Sequence, residues 1–167
     1  MADALQEVTD KQAITEVIYR YCRGLDRMDA DGARSVWHAD GTADYGSMFE
    51  GTGAQFVEWV WGVHAAMARH SHQITNIIIE VDGDRAVSEA YVTVALRTRA
   101  KAEAERAVEI EARGRYLDRW SRRDGRWAID HRKFVQDLQR THDADPLEPD
   151  EGQSRRDRSD PSYEILR

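Results

Sequence analysis

The sequence predicts an α+β fold in which N-terminal helices pack on one face of a curved antiparallel sheet. Two patterns carry that expectation. Apolar residues recur at helical spacing over residues 10–25 and again from Phe56 to Met67, the signature of a half-buried helix. From residue 70 onward, long runs rich in β-branched residues alternate with Asp-Gly turns, as in a meander of antiparallel strands. Nothing repeats at a fixed interval.

Each element has its own signal. Ala13, Ile14, Val17, Ile18, Tyr21, Cys22 and Leu25 form the first stripe. Thr9 and Gln12 have the spacing of a capping box and place the helix start near residue 10. Gly24 weakens its last turn. The stretch GLDRMDADG then leads into a short helix over residues 33–37, and residues 40–51 read as two short strands around a turn. Thr52 or Gly53 opens a second long helix carrying Phe56, Trp59, Val60, Val63 and Met67. Strands are predicted over residues 70–81, 86–98, 108–120 and 126–138, with hairpin turns at Asp82-Gly83-Asp84 and Arg123-Asp124-Gly125.

Residues 143–167 differ from the rest. They hold all three prolines, eight acids, four arginines and few apolar residues. The expected division is therefore a domain over residues 1–142 and a polar arm over residues 143–167. Tyr163, Ile165 and Leu166 suggest that the arm docks, with a neighbouring subunit as one surface open to it; a frayed terminus is the alternative.

Composition narrows the function. The chain has 167 residues, 41% of them apolar, which suits one domain with a real core. Its net charge of −7 argues against partners rich in phosphate, so neither nucleic acid nor an anionic membrane is expected. Cys22 is the single cysteine, so it forms no internal disulfide and no thiolate zinc cage. No apolar run approaches the roughly 20 residues that span a bilayer. The N-terminal MADALQEVTDKQ lacks the basic and apolar regions of a signal peptide, so a cytoplasmic protein is expected. Val92, Val94, Leu96 and Ile110 cannot all face one pocket. An apolar outer sheet face, and with it a homodimer or homotrimer, is expected.

No nucleotide fingerprint, Walker loop, nucleophile elbow or zinc-protease motif is present. His70 and His72 alternate along a strand and share a face, but no third metal ligand lies nearby, and neither a metal nor a cofactor is expected. The chemistry-bearing candidates are Tyr21 and Asp26 at the end of the first helix, His72 at the start of a strand, and Arg132 on the last strand. Each has a plainer reading. Asp26 lies on the flank of the apolar stripe, where a solvated helix-end carboxylate also fits. Tyr21 has core spacing, His72 can be an ordinary strand histidine, and Arg132 can pair on the surface. His38, His64, His70, His131 and His142 read as structural or surface residues, with His70 the one nearest the site.

The ordered set YRYCRGLDRMD, ARSVWHADGTADY, HSHQITNIIIE and RRDGRWAIDHRKF, within residues 8–138, resembles the SnoaL-like branch of the nuclear-transport-factor-2-like, cystatin-like superfamily. The resemblance implies a cone-shaped pocket between helices and sheet. It also implies the elimination chemistry of relatives such as hexachlorocyclohexane dehydrochlorinase, scytalone dehydratase and bile-acid dehydratase. The dehydrochlorinase motif pairs a helix-end Asp with the His of H-x-x-T-N; Asp26 and the HQITN of His72 to Asn76 match it, and Arg132 matches its last-strand Arg. Tyr21 stands where that enzyme has a Lys, which weakens halide-leaving chemistry and looks more like the bile-acid dehydratase arrangement. A further acid expected on a later strand has no convincing match.

The physical logic runs beside the resemblance. A neutral imidazole can take a proton near pH 7, a carboxylate on its other nitrogen fixes the tautomer, a phenol can donate, and a buried Arg can hold an oxyanion. The expected reaction is a cofactor-independent, dehydratase-type elimination on a small hydrophobic, ring-bearing, steroid- or polyketide-like molecule. Trp37, Tyr45, Phe49, Phe56, Trp59 and Trp61 are candidate walls or plain core, and Asn76 a candidate substrate contact. An isomerase or cyclase using the same base is the alternative. A ligand-binding or dioxygenase small-subunit-like module without catalysis is the other.

Overall fold

A computed structural model of the chain describes residues 2–99, 106–145 and 154–166. Its elements are α1 (Ala2–Asp26), α2 (Ala30–Ser35), β1 (Trp37–Asp44), β2 (Glu50–Thr52), α3 (Gly53–Ala65), β3 (Met67–Asp82), β4 (Arg85–Thr98), β5 (Ala107–Arg123), β6 (Arg126–Ala144) and α4 (Ser162–Ile165). The α+β class stands. The six strands lie in the order β2-β1-β6-β5-β4-β3. All neighbours are antiparallel except β1 and β6, which run parallel. That pair corrects the all-antiparallel expectation: β1 precedes the meander and is laid beside its last strand by a long crossover, the connection that parallel pairing requires.

The first helix starts well before residue 10. Thr9 does not cap it; its hydroxyl donates to Leu5 O at 2.9 Å, and Lys11 pairs with Glu7 at 2.7 Å one turn back. Both interactions are those of a helix interior. What anchors this end is Asp10, which is buried and accepts from Gln6 Nε2 (3.1 Å), Arg122 Nη1 (2.6 Å) and Trp127 Nε1 (2.9 Å). Ile14, Ile18, Tyr21 and Leu25 turn inward and join Val92, Tyr116, Trp120 and Ile129 of the sheet in one core. The second long helix opens at Thr52, as expected, through a capping box in which Thr52 and Gln55 exchange both bonds.

The end of α1 is tightly built. A Cβ on Gly24 would lie 2.8 Å from the Ala33 backbone nitrogen, so glycine is what lets α2 pack this close. Asp29 N–H donates to Gly24 O at 2.8 Å and Met28 N–H to Leu25 O at 3.0 Å, the two bonds of a Schellman turn. Its left-handed position is filled by Met28, with φ of 52°. The short helix is shifted from the expected 33–37 to Ala30–Ser35, capped by Asp29, whose side chain accepts from Gly32 N–H at 3.0 Å. Trp37 opens β1 instead.

The β5–β6 ladder runs on to Ala107 opposite Ala144, further than the strand ends read from sequence. The segment of residues 154–166 packs against the end of α1 of its own chain. Arg27 pairs with Asp160 at 3.2 Å, Tyr163 Oη donates to Asp29 Oδ2 at 3.0 Å, and the Arg23 guanidinium sits 4.2 Å from the Tyr163 ring centre. Tyr163 lies against α1 of its own chain, whereas Ile165 and Leu166 stay exposed. Among the described residues, no helix is long and apolar enough to cross a membrane.

The left-handed Met28 gives the first expected outcome. Met28→Gly relieves a conformation that costs an L-residue about 1 kcal/mol. It should raise the urea unfolding free energy by up to about that amount, measured on the full chain; an unchanged or lower value would refute the assignment of strain.

Candidate active site

Asp26 and His72, 46 positions apart, meet where the end of α1 crosses β3. His72 Nδ1 lies 2.7 Å from Asp26 Oδ1, and His72 backbone N–H donates to Asp26 Oδ2 at 3.0 Å. A carboxylate only accepts, so Nδ1 carries a proton and Nε2 is the ring nitrogen left to exchange one. Nε2 has no hydrogen-bond partner among the described residues. The pair is largely but not wholly covered, at 4% side-chain exposure for His72 and 14% for Asp26. It borders a cleft of about 240 Å³ lined by Tyr19, Cys22, Arg23, Asp26, Arg27, His72 and Ile74. Burial pushes the Cys22 thiol up to about 12, so it is an inert part of that wall.

His70, two residues back on the same face, points its Nε2 at Leu25 O, 2.8 Å away. His64 of α3 stacks on it with ring centres 4.1 Å apart, and lies 5.7 Å from His72. Burial drives the His64 pKa down to about 2, helped by repulsion from His70, His72 and Arg156. Burial also lowers that of His70, against the opposing effects of Leu25 O and Asp26. His70 has no nitrogen left to join His72 in holding a metal, because both are engaged by protein atoms. Among the described residues there is no cluster of three potential ligands.

Arg132 sits elsewhere in the interior. It stands directly across the ladder from Asp118 of β5. Its Nε and Nη2 each donate to that carboxylate at 2.7 Å, and both side chains are fully buried. The guanidinium lies over the rings of Tyr116 (4.0 Å), Tyr21 (4.4 Å) and Trp37 (5.8 Å). Arg132 Nη1 has no partner among the described residues. Tyr21 is fully buried, its hydroxyl 3.0 Å from that of Tyr45. Burial holds the Tyr21 phenol well above its ordinary pKa and pushes Tyr45 up to about 12, so both stay protonated.

The expected apolar cup is largely filled by its own walls. Trp37, Tyr45 and Phe56 are core residues. Tyr45 stacks on Phe56 at 4.3 Å and on Phe134 at 5.3 Å, while Phe49 and Trp59 lean on Phe56 at 5.5 and 5.7 Å. Phe49, Trp59 and Trp61 remain partly exposed around that cluster. Asn76 is not among the residues lining the cleft beside His72. It is exposed, with φ of 49°, inside the register shift between Thr75 and Ile78; asparagine suits a left-handed bulge. Of the other histidines, His38 donates through Nε2 to Ser121 O, His131 meets Thr42 Oγ1, and His142 is exposed. A larger depression of about 630 Å³, lined by Glu80, Val87, Arg119 and His131 among others, opens elsewhere on the sheet and touches neither Asp26 nor His72.

Residues 6–133 match the SnoaL-like domain family. The chain belongs to it. The shape of this SnoaL-like domain is also that of several solved structures. A candidate scytalone dehydratase from Novosphingobium aromaticivorans is 20% identical, with a TM-score of 0.71 over 90% of this chain and 100% of that one. Hexachlorocyclohexane dehydrochlorinase LinA-type3 from Novosphingobium barchaimii is 18% identical, with a TM-score of 0.73 over 88% and 99%. A protein of unknown function with a cystatin-like fold, from Nostoc punctiforme, is 22% identical, with a TM-score of 0.62 over 77% and 92%. No curated protein matches the sequence.

Two outcomes follow for this SnoaL-like domain. Replacing Arg132 by Met strands the buried Asp118 carboxylate, and should cost about 3–5 kcal/mol of folding free energy by denaturant titration; a loss under about 1 kcal/mol would mean the pair is not closed. The buried histidines set an acid limit. Unfolded histidine titrates near about 6.5, whereas folded His64 stays neutral far below that. Below about pH 6.5 the unfolded chain therefore takes up protons that the folded chain does not. Stability should fall on acidification, by about 1.4 kcal/mol per pH unit for one such group. Thermal melts between pH 7 and 5 read this slope, and His64→Gln should flatten it.

Proposed function

We propose that the domain is a cofactor-independent lyase of the dehydratase type, with His72 as the general base and Asp26 as its orienting carboxylate. The observation that carries this reading is the two-point contact of Asp26 with His72, at 2.7 and 3.0 Å, beside an open cleft. It leaves Nε2 as the ring nitrogen available to take a proton. In the reaction, Nε2 takes a proton from a carbon next to a carbonyl. The C–H electron pair forms the new double bond, and the group on the neighbouring carbon departs with its own pair as hydroxide or another anion. As the imidazolium forms, the carboxylate stabilises it. A non-catalytic binding or small-subunit role would not need that pair.

The cleft bears on substrate class. At about 240 Å³ it lies below the roughly 300–1,000 Å³ of ordinary ligand sites, which favours a single-ring or short-chain molecule over a steroid. Tyr21 and Arg132 are buried and do not line this cleft, so the reading rests on Asp26 and His72 alone. An isomerase would use the same base but release nothing. Val87 and Tyr91, exposed on β4, support assembly into a homodimer or homotrimer.

The test is a panel of small β-hydroxy and β-halo carbonyl compounds with product masses recorded. Loss of water or hydrogen halide identifies elimination, and an unchanged mass identifies isomerisation. On any substrate found, His72→Ala and Asp26→Asn should each lower kcat by about 10²–10⁴-fold; full retention in His72→Ala would overturn the assignment.

A further inference from the structure

The C-terminal segment reaches the histidine cluster through one side chain. Arg156 Nη1 donates to His64 O at 2.7 Å and lies 3.3 Å from His70 Nδ1. A guanidinium has donors and no acceptor, so Nδ1 of His70 accepts. The ring proton must then sit on Nε2, which lies 2.8 Å from Leu25 O, an atom that only accepts. Two independent contacts thus specify the same tautomer, the opposite of the one that Asp26 imposes on His72.

Leu25 immediately precedes Asp26, and its carbonyl also takes the Met28 N–H of the turn that ends α1. His70 therefore grips the turn carrying the carboxylate. The same C-terminal segment holds that turn from outside. Asp160, 4% exposed, pairs with Arg27 and accepts the backbone N–H groups of Arg155 and Ser162 at 2.9 and 3.0 Å. Tyr163 ties down Asp29.

We propose that His70 is a positioning residue for the Asp26–His72 pair and that Arg156 sets it by keeping its proton on Nε2. The proposal deepens the reading of that pair as catalytic and rests on it for its functional meaning. It makes the C-terminal segment part of the site. The groups facing His70 are His72 on its own strand, His64 from α3, Asp26 from α1 and Arg156; Arg69 and Arg99 add positive charge around Arg156. Without Arg156, Leu25 O alone holds the proton on Nε2; to the extent that the proton moves to Nδ1, Leu25 O loses its donor and Asp26 its fixed approach to His72. The His72 imidazolium is then less stabilised.

The experiment is a nitrogen-15 NMR titration of the histidines in the full chain, comparing wild type, Arg156→Met, His70→Leu, His70→Gln and the Arg156→Met/His70→Gln double variant. A glutamine amide can donate to Leu25 O without any tautomer to set, so it separates the two roles. Arg156→Met should bring His70 partly into the Nδ1–H form and lower the His72 midpoint by about one pH unit, a tenfold change in its protonation constant. His70→Leu should lower it as much. His70→Gln should restore it and make Arg156→Met silent. An unchanged His70 tautomer and an unchanged His72 midpoint in Arg156→Met would overturn the proposal. If His70→Leu fails to fold, Arg156→Met and the glutamine pair still decide it. The two readings fail separately. Lost activity in His72→Ala with no effect of Arg156→Met on the His72 midpoint leaves the catalytic reading standing. A shifted midpoint with full activity in His72→Ala leaves the coupling but not the catalysis.

Discussion

One carboxylate joins the last turn of α1 to β3, and the site depends on that joint. Asp26 uses one oxygen to hold the imidazole of His72 and the other to hold its backbone N–H. A single contact would leave the ring free to rotate about the carboxylate. Two contacts on one residue fix both the strand and the ring against the helix. The helix end is itself unusually constrained, by a Schellman turn with a methionine in the left-handed position and by Gly24 at the crossing of α2. Local strain kept beside chemically competent groups is common at functional sites.

The interior holds a second charged pair with a different character. Arg132 and Asp118 are direct cross-strand partners, fully buried, forked together and boxed by three aromatic rings. Desolvating two such charges is costly, and only close geometry with further contacts offsets it. The fork and the rings supply both. The pair also explains why the cup is not hollow: Tyr21, Trp37 and Tyr116 close on the guanidinium. Asp26 and His72, by contrast, border an open cleft.

Much of this could be read from the residues, and the remainder had identifiable reasons to be hidden. The helical stripe from Ile14 to Leu25 and the Asp-Gly turns gave the order of elements, since local periodicity and turn chemistry act over a few residues. The Asp26–His72 contact was not visible in periodicity, which left Asp26 on the flank of its helix; only the HQITN string pointed to it. The parallel pairing of β1 with β6 depends on where a long crossover lands. Asp118 looked like one acid among many on a charged strand, and only register sets it opposite Arg132. Trp37, Tyr45 and Phe56 read equally as walls or core, because an aromatic residue does not reveal which neighbour will cover it. Asn76 belonged to the recognised string, which does not show the left-handed bulge it occupies. Arg156 was hidden by the composition of its segment, which resembles a solvated tail until its docking is seen.

The position of β3 in the sheet gives the Asp26 contact a second consequence. β3 is the outermost strand on its side, so a row of its amides and carbonyls faces away from β4. Such a row is a template for pairing with another chain, and folded proteins commonly blunt it. Asp26 Oδ2 takes the His72 amide that a seventh strand would otherwise claim, and the kink at Asn76 interrupts the row further along. The side chain that contacts the imidazole thus also occupies a donor on this border. The two duties are chemically separable: an amide oxygen could cap the strand, whereas only an ionised acid can steady a charged ring.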